Sequence, residues 1–301
     1  TCLAHSGSRA TCPAPFFTQT HKGTMPKISP APNSELEPDP SHVMTDMSTR
    51  NRRVITLLLV STFVVILNET IMNVALPVLM RDLRISASAA QWLSTAFMLT
   101  MAVVIPVTGW LLQRFHTRPL FITAMTLFSS GTLIAALAPG YAVLLAARIV
   151  QASGTAIMFP LLITTVITLV PPASRGRTMG NISIVIAVAP AIGPTISGLI
   201  LSIFDWRWMF FFVLPIALLM LVLGAVRMIN VTEPKPTHFD VFSVIVSAFG
   251  FGGLVYGLSH LGAVATGGNT ALGWVPLGIG VVAIAVFILR QLQLQRRDEA
   301  L

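Results

Sequence analysis

Residues 54–80 read VITLLLVSTFVVILNETIMNVALPVLM. Coiled as an α-helix at 1.5 Å per residue, this stretch is about 40 Å long, more than the ~30 Å hydrocarbon layer of a bilayer. It carries one acid, Glu69, and no base. A helix apolar on nearly every side needs lipid or a very large core around it. The rest of the chain repeats the pattern. Of the 301 residues 54% are hydrophobic and 10% charged, with a mean hydropathy of +0.80, whereas soluble domains carry about 25% charged residues. Further apolar runs near Ala90–Leu112, Pro119–Ala138, Tyr141–Val170, Met179–Ile203, Trp208–Met228, Val241–Leu261 and Leu272–Leu289 bring the expected spans to eight. Inside lipid a helix satisfies its own backbone groups. The short alternating segments of a β-barrel are absent. The expected fold class is therefore an all-α polytopic membrane protein.

Residues 1–51 are rich in Pro, Ser and Thr, with seven prolines and no apolar run, and read as a disordered cytoplasmic tail. The stretch lacks the apolar core of a signal peptide. Met44 and Met47, just before a basic patch, are candidate starts. Cys2 and Cys12 both lie in this tail and suggest neither a disulfide framework nor a metal cluster. The net charge of +8 is parcelled out between apolar runs rather than gathered on one face. That distribution fits loops touching anionic lipid and argues against nucleic acid. With the tail inside, the cytoplasmic set is Arg50, Arg52, Arg53, Arg114, Arg118, Arg175, Arg177, Arg227, Lys235, Arg290, Arg296 and Arg297. The outer set is Arg81, Arg84 and Arg207. Twelve against three places both ends in the cytoplasm by the positive-inside rule.

Of the eleven acidic residues Glu69 alone, and of the basic ones Arg148 alone, falls well inside a span. Each costs roughly 2.5–3.5 kcal/mol at a helix centre, so each needs a partner or a wet cavity. Glu69 lies about 22 Å along the first span, roughly 8 Å below the outer edge of the core. Arg148 lies about 10 Å below that same edge on the fourth. The functional reading is a carboxylate that takes up and releases a proton, its charge state biased by Arg148. The plainer reading is a static ion pair joining two helices. Thr70 and Asn73, with Asn68 beside them, make a polar stripe on the first span that suits a water-lined path.

The fifth span contains Ala187-Val-Ala-Pro-Ala-Ile-Gly-Pro-Thr-Ile-Ser-Gly198. Ala189, Gly193 and Ser197 recur at i, i+4 and i+8 and predict a flat face for close packing. Pro190 and Pro194 each free a carbonyl one turn earlier and predict a bend. Gly and Pro are common in membrane helices, which is the bland alternative. His260 is read as an interfacial residue near the outer end of the seventh span.

With these residues in view, the chain resembles the major facilitator superfamily, in its fourteen-helix drug:proton antiporter branch (EmrB/QacA type). Leu67-Asn-Glu-Thr-Ile-Met-Asn-Val-Ala-Leu-Pro77 looks like that branch's helix-1 signature. Gly109-Trp-Leu-Leu-Gln-Arg-Phe-His-Thr-Arg118 looks like the gating-loop motif, carried on Gly109, Gln113, Arg114 and Arg118. Arg148-Ile-Val-Gln-Ala-Ser-Gly154 is similar to the motif whose arginine takes part in proton coupling. Ala189-Pro-Ala-Ile-Gly-Pro-Thr-Ile-Ser-Gly198 resembles the antiporter motif, through Pro190, Gly193, Pro194 and Gly198. Trp206-Arg-Trp-Met-Phe-Phe-Phe-Val-Leu-Pro215 resembles the start of that branch's sixth helix. Two positions depart. Asn68 stands where the helix-1 signature commonly has Asp, with the acid one position later at Glu69, and Gln113 stands where the gating loop commonly has Asp.

The resemblance implies a six-helix bundle over 52–230 and two extra transmembrane helices over 231–301, with the C-terminal bundle of the family outside this chain. It implies a proton-coupled inner-membrane exporter of hydrophobic or cationic compounds, working by alternating access. Its partners would be protons, those substrates, membrane lipids and the missing half, with an accessory efflux subunit left open. No cofactor or metal is expected. Two other readings stand beside it: a dedicated exporter of one endogenous metabolite or antibiotic, and a truncated membrane remnant serving as an assembly partner. An enzyme is disfavoured, because no nucleophile–base pair, metal cluster or phosphate-binding glycine loop accompanies the spans.

Overall fold

In the computed structural model the backbone is described over residues 40–231, 241–264 and 270–295, and the side chains over 49–231, 242–259 and 273–293. The described elements are all helical: α1 Pro40–Asp82, α2 Ala87–Arg114, α3 Thr117–Ala136, α4 Tyr141–Leu169, α5 Pro172–Ile203, α6 Arg207–Arg227, α7 Val241–Val264 and α8 Thr270–Gln295. All eight are long and apolar enough to cross a bilayer. Cys2, Cys12, Lys235, Arg296 and Arg297, and the side chains of Met44, Met47 and His260, lie outside the described residues.

Two helices begin well before the apolar runs that announced them. α1 is helical from Pro40, inside the segment read as a tail, and α5 from Pro172 rather than Met179. Hydropathy marks only the part of a helix that needs lipid. Once a span has nucleated, each further turn adds a hydrogen bond per residue fixed, so a polar stretch without a breaker simply continues it. The breaks are chemical. Ser86 caps α2 by accepting from the Ala89 N–H at 3.2 Å. Pro172 opens α5 in the first turn, where its missing N–H costs nothing.

Helix α3 packs on α4 and α6, α2 on α4 and α7, and α7 on α8. The core runs through Leu58, Ile71, Met72, Phe97, Phe121, Phe128, Met158 and Trp206, all essentially inaccessible. Helices α2, α5 and α8 leave most of their apolar surface uncovered by the described chain. Lipid does not drive apolar helices together as water does, so close packing rests on small residues. Gly154 is the sharpest case. A Cβ there would collide with the Ala124 carbonyl oxygen and come within 2.7 Å of the Phe128 backbone nitrogen on α3. Backbone atoms of a neighbouring helix cannot swing aside. Gly154→Val should therefore cost at least about 1–3 kcal/mol by overpacking, read as a lowered Tm of the purified full-length protein. A Tm equal to the parent's would refute the contact.

Candidate transport site at the α1–α4–α5 crossing

Arg148 sits on α4 with 0% of its surface exposed. Its surroundings come from three helices. One turn along α4, Gln151 accepts from Arg148 Nη1 at 3.0 Å, and the Gln151 amide then donates to Thr132 Oγ1 on α3 at 2.9 Å. The Thr132 hydroxyl in turn donates to the Phe128 carbonyl at 2.7 Å. From α2, the Phe97 ring lies 4.1 Å from the guanidinium carbon, a cation–π contact that strengthens when water is excluded. Nε and Nη2 have no hydrogen-bond partner among the described residues. The cation is thus held along one edge, with two donors free on the others.

Glu69 on α1 is partly buried, and it and Arg148 lie within each other's electrostatic field. They are not joined by a hydrogen bond; among the described residues the donor that Arg148 commits goes to Gln151. A carboxylate that feels a buried cation without being locked to it can change protonation without first breaking a bidentate bond.

The polar residues of α1 separate by face. Asn68, rotated from Glu69 by about 100°, is buried with its Nδ2 unpartnered, as are the hydroxyls of Ser61 and Thr62. Thr70 turns its hydroxyl back to the Ile66 carbonyl at 3.0 Å. Asn73 is exposed and accepts from Ser94 of α2 at 2.8 Å. The stripe expected over Asn68, Thr70 and Asn73 is accordingly two faces rather than one.

Helix α5 brings its motif to α1. Ala189, Gly193 and Ser197 are buried together with Ile182. A Cβ at Gly193 would stand 2.6 Å from Thr70 Cγ2, next to Glu69 in sequence, and the Ser197 hydroxyl donates to the Ile71 carbonyl at 3.3 Å. Pro190, Pro194 and Gly198 lie on the exposed side, and α5 runs as a single helix through both prolines. The gating-loop residues are elsewhere. Gly109 has open space around it, Gln113 is half-buried, and Arg114 is exposed. Arg118 Nη2 donates to the Ala225 carbonyl at 2.6 Å, and its backbone N–H to Asn230 Oδ1 at 3.4 Å. A cation on the last carbonyls of α6 is favourably placed in that helix's dipole.

Gln151, Thr132, Phe97 and Ser94 were not singled out from sequence. Gln151 could have been, because it stands three residues from Arg148 and i, i+3 pairs share a helix face. The other three are on different helices and carry no such signal.

The family profile of the Major Facilitator Superfamily matches residues 58–293. The uncharacterized MFS-type transporter YcnB of Bacillus subtilis is 47% identical over 247 residues, 82% of this chain and 52% of its own length. The lincomycin resistance protein LmrB of the same organism is 44% identical over 239 residues, 79% of this chain and 50% of its own. Among solved structures, that of the peptide transporter POT in complex with sulfate superposes with a TM-score of 0.58 at 17% identity, covering 81% of this chain and 52% of that one. At that identity the likeness speaks for the fold. The chain spans about half the length of the curated relatives it matches.

Proposed function

Because this chain belongs to the Major Facilitator Superfamily, we propose that it forms the first six-helix bundle, over 52–230, and two adjoining helices, over 231–301, of a proton-coupled efflux transporter. The transporter is a drug:proton antiporter of the cell's inner membrane with both ends of this chain in the cytoplasm. It exports hydrophobic or cationic compounds by alternating access, in concert with a second bundle. One observation carries the coupling: Glu69, the acid within the described spans, lies in the field of a fully buried arginine without being bonded to it.

The chemistry follows from that placement. With Glu69 ionised, attraction across α1 and α4 favours the arrangement that keeps the two charges near each other. A proton arriving at Glu69 removes the anion, and the balance between two packings of the bundle shifts by the difference. Arg148 keeps its position throughout, tethered by Gln151 and Thr132 and backed by Phe97. The stripe of Ala189, Gly193 and Ser197 supplies a smooth contact on which α5 slides along α1. The relative named for lincomycin resistance supports the efflux reading and lends weight to its rival, a dedicated exporter of one antibiotic or metabolite.

The test uses the full-length protein in vesicles carrying an imposed pH gradient. Addition of lincomycin or a hydrophobic cationic dye should dissipate the gradient in step with substrate movement, and a protonophore should abolish uphill transport. Uphill transport untouched by the protonophore would remove proton coupling from the account.

A further inference from the structure

Four arginines converge at the end of α1 and α6 opposite Asp82. Arg50, Arg52 and Arg53 stand on the first turns of the α1 span, and Arg227 ends α6. Two clefts open among them. One, of about 450 Å³, is lined by Arg52, Arg53, Thr56, Leu57, Leu223 and Arg227. The other, of about 440 Å³, is lined by Arg50, Arg53, Arg227 and Ile229. Arg53 and Arg227 belong to both.

Among the described residues no acidic side chain lines either cleft. The acidic side chains among the described residues are Glu69 within its span and Asp82 and Asp205 at the other end of α1 and α6. Like charges gathered together repel, and an anion brought among them gains from each. Arg118, also at this end, is already committed to the Ala225 carbonyl. None of the four makes a side-chain hydrogen bond or ion pair with a described residue. The walls of the larger cleft then choose between kinds of anion. Leu57 and Leu223 face it on the membrane side of the arginines, so a cationic rim passes directly into an apolar wall. A water-soluble phosphate would use only the rim, whereas a phospholipid uses both.

We propose that these paired clefts hold the phosphate headgroup of an anionic phospholipid of the adjoining leaflet, with Arg53 and Arg227 between the two pockets and the acyl chains along Leu57 and Leu223. The guanidinium fork suits phosphate oxygens two at a time. The inference is independent of the transport reading, because it is read by lipid binding alone.

The test is native mass spectrometry of the delipidated full-length protein, titrated with phosphatidylglycerol and, in parallel, with phosphatidylcholine of the same chains. Phosphatidylglycerol should bind preferentially. Each basic residue near the surface contributes about fivefold, so the R53Q/R227Q double variant should bind it roughly 25-fold more weakly, and R53K/R227K, which keeps the charge but loses the fork, should fall between that variant and the parent. R81Q/R84Q, which removes the same charge at the other end, should bind as the parent does. Equal binding of the two lipids by the parent would overturn the proposal, and that arm needs no variant to fold. So would an equal loss in R81Q/R84Q, or undiminished binding in R53Q/R227Q. Displacement of the lipid by inorganic phosphate at matched concentration would assign the clefts to a free anion instead and sink the lipid claim.

Discussion

Glu69→Gln in the full-length protein is expected to bring proton-driven substrate accumulation down to the passive leak, a loss of at least about tenfold, while leaving membrane abundance unchanged. Gln has the size of Glu but is neutral at every pH, so it imitates the protonated carboxyl and cannot cycle. Insertion should not suffer, since removing a charge from a span relieves a cost of roughly 2.5–3.5 kcal/mol. The variant should still exchange labelled for unlabelled substrate across the membrane when no gradient is imposed, because that exchange needs the bundle to rock but not to release a proton. This pairing of lost accumulation with retained exchange separates a proton carrier from a structural acid. Accumulation at the parental level, at equal protein in the membrane, would remove Glu69 from the mechanism. Loss of both activities together would assign it a part in the packing of α1.

The second large effect is at the α1–α5 contact. Gly193→Val should inactivate transport almost completely, because the new Cβ would stand 2.6 Å from Thr70 Cγ2 and 2.8 Å from Thr70 Cβ. Neither atom is the end of a long side chain that could swing aside. The helices must separate, with a cost of about 1–3 kcal/mol and a displacement of Thr70 next to Glu69. Gly198→Val, in the same motif and also replacing a glycine, is the control. Nothing lies within 4 Å of a Cβ at Gly198, so that variant should retain most of its transport. Drug-susceptibility profiles of cells carrying the two variants distinguish them at once. Equal activity would mean that α1 and α5 do not meet at Gly193.

Much of this arrangement could be read along the chain. The eight spans are local, since each needs only enough consecutive apolar residues to cross the hydrocarbon, and every expected run lies largely within a helix, although α1 and α5 begin well before theirs. The buried stripe Ala189, Gly193 and Ser197 was legible for a similar reason, because small residues at a spacing of four fall on one face whatever they pack against. The lone in-span charges, Glu69 and Arg148, stood out because a charge in lipid is costly wherever it lies.

What remained hidden depended on the rotation and crossing of helices far apart in the chain. Asn68, Thr70 and Asn73 looked like one polar stripe, yet Asn68 is buried in the core, α5 sets Gly193 against Thr70, and α2 brings Ser94 to Asn73. Arg148 and Glu69 were placed at one depth by counting residues along two helices. Whether they bond could not be counted, because it rests on where Gln151, Thr132 and Phe97 direct the guanidinium. Sequence alone therefore determined that this chain lives in lipid, where its eight apolar helices lie, and that Glu69 and Arg148 fall inside them. Tertiary structure alone decided what those charges touch. Transfer into a bilayer is a sum over residues of one segment, whereas a contact is a joint property of several helices, set by side-chain shape at their crossings.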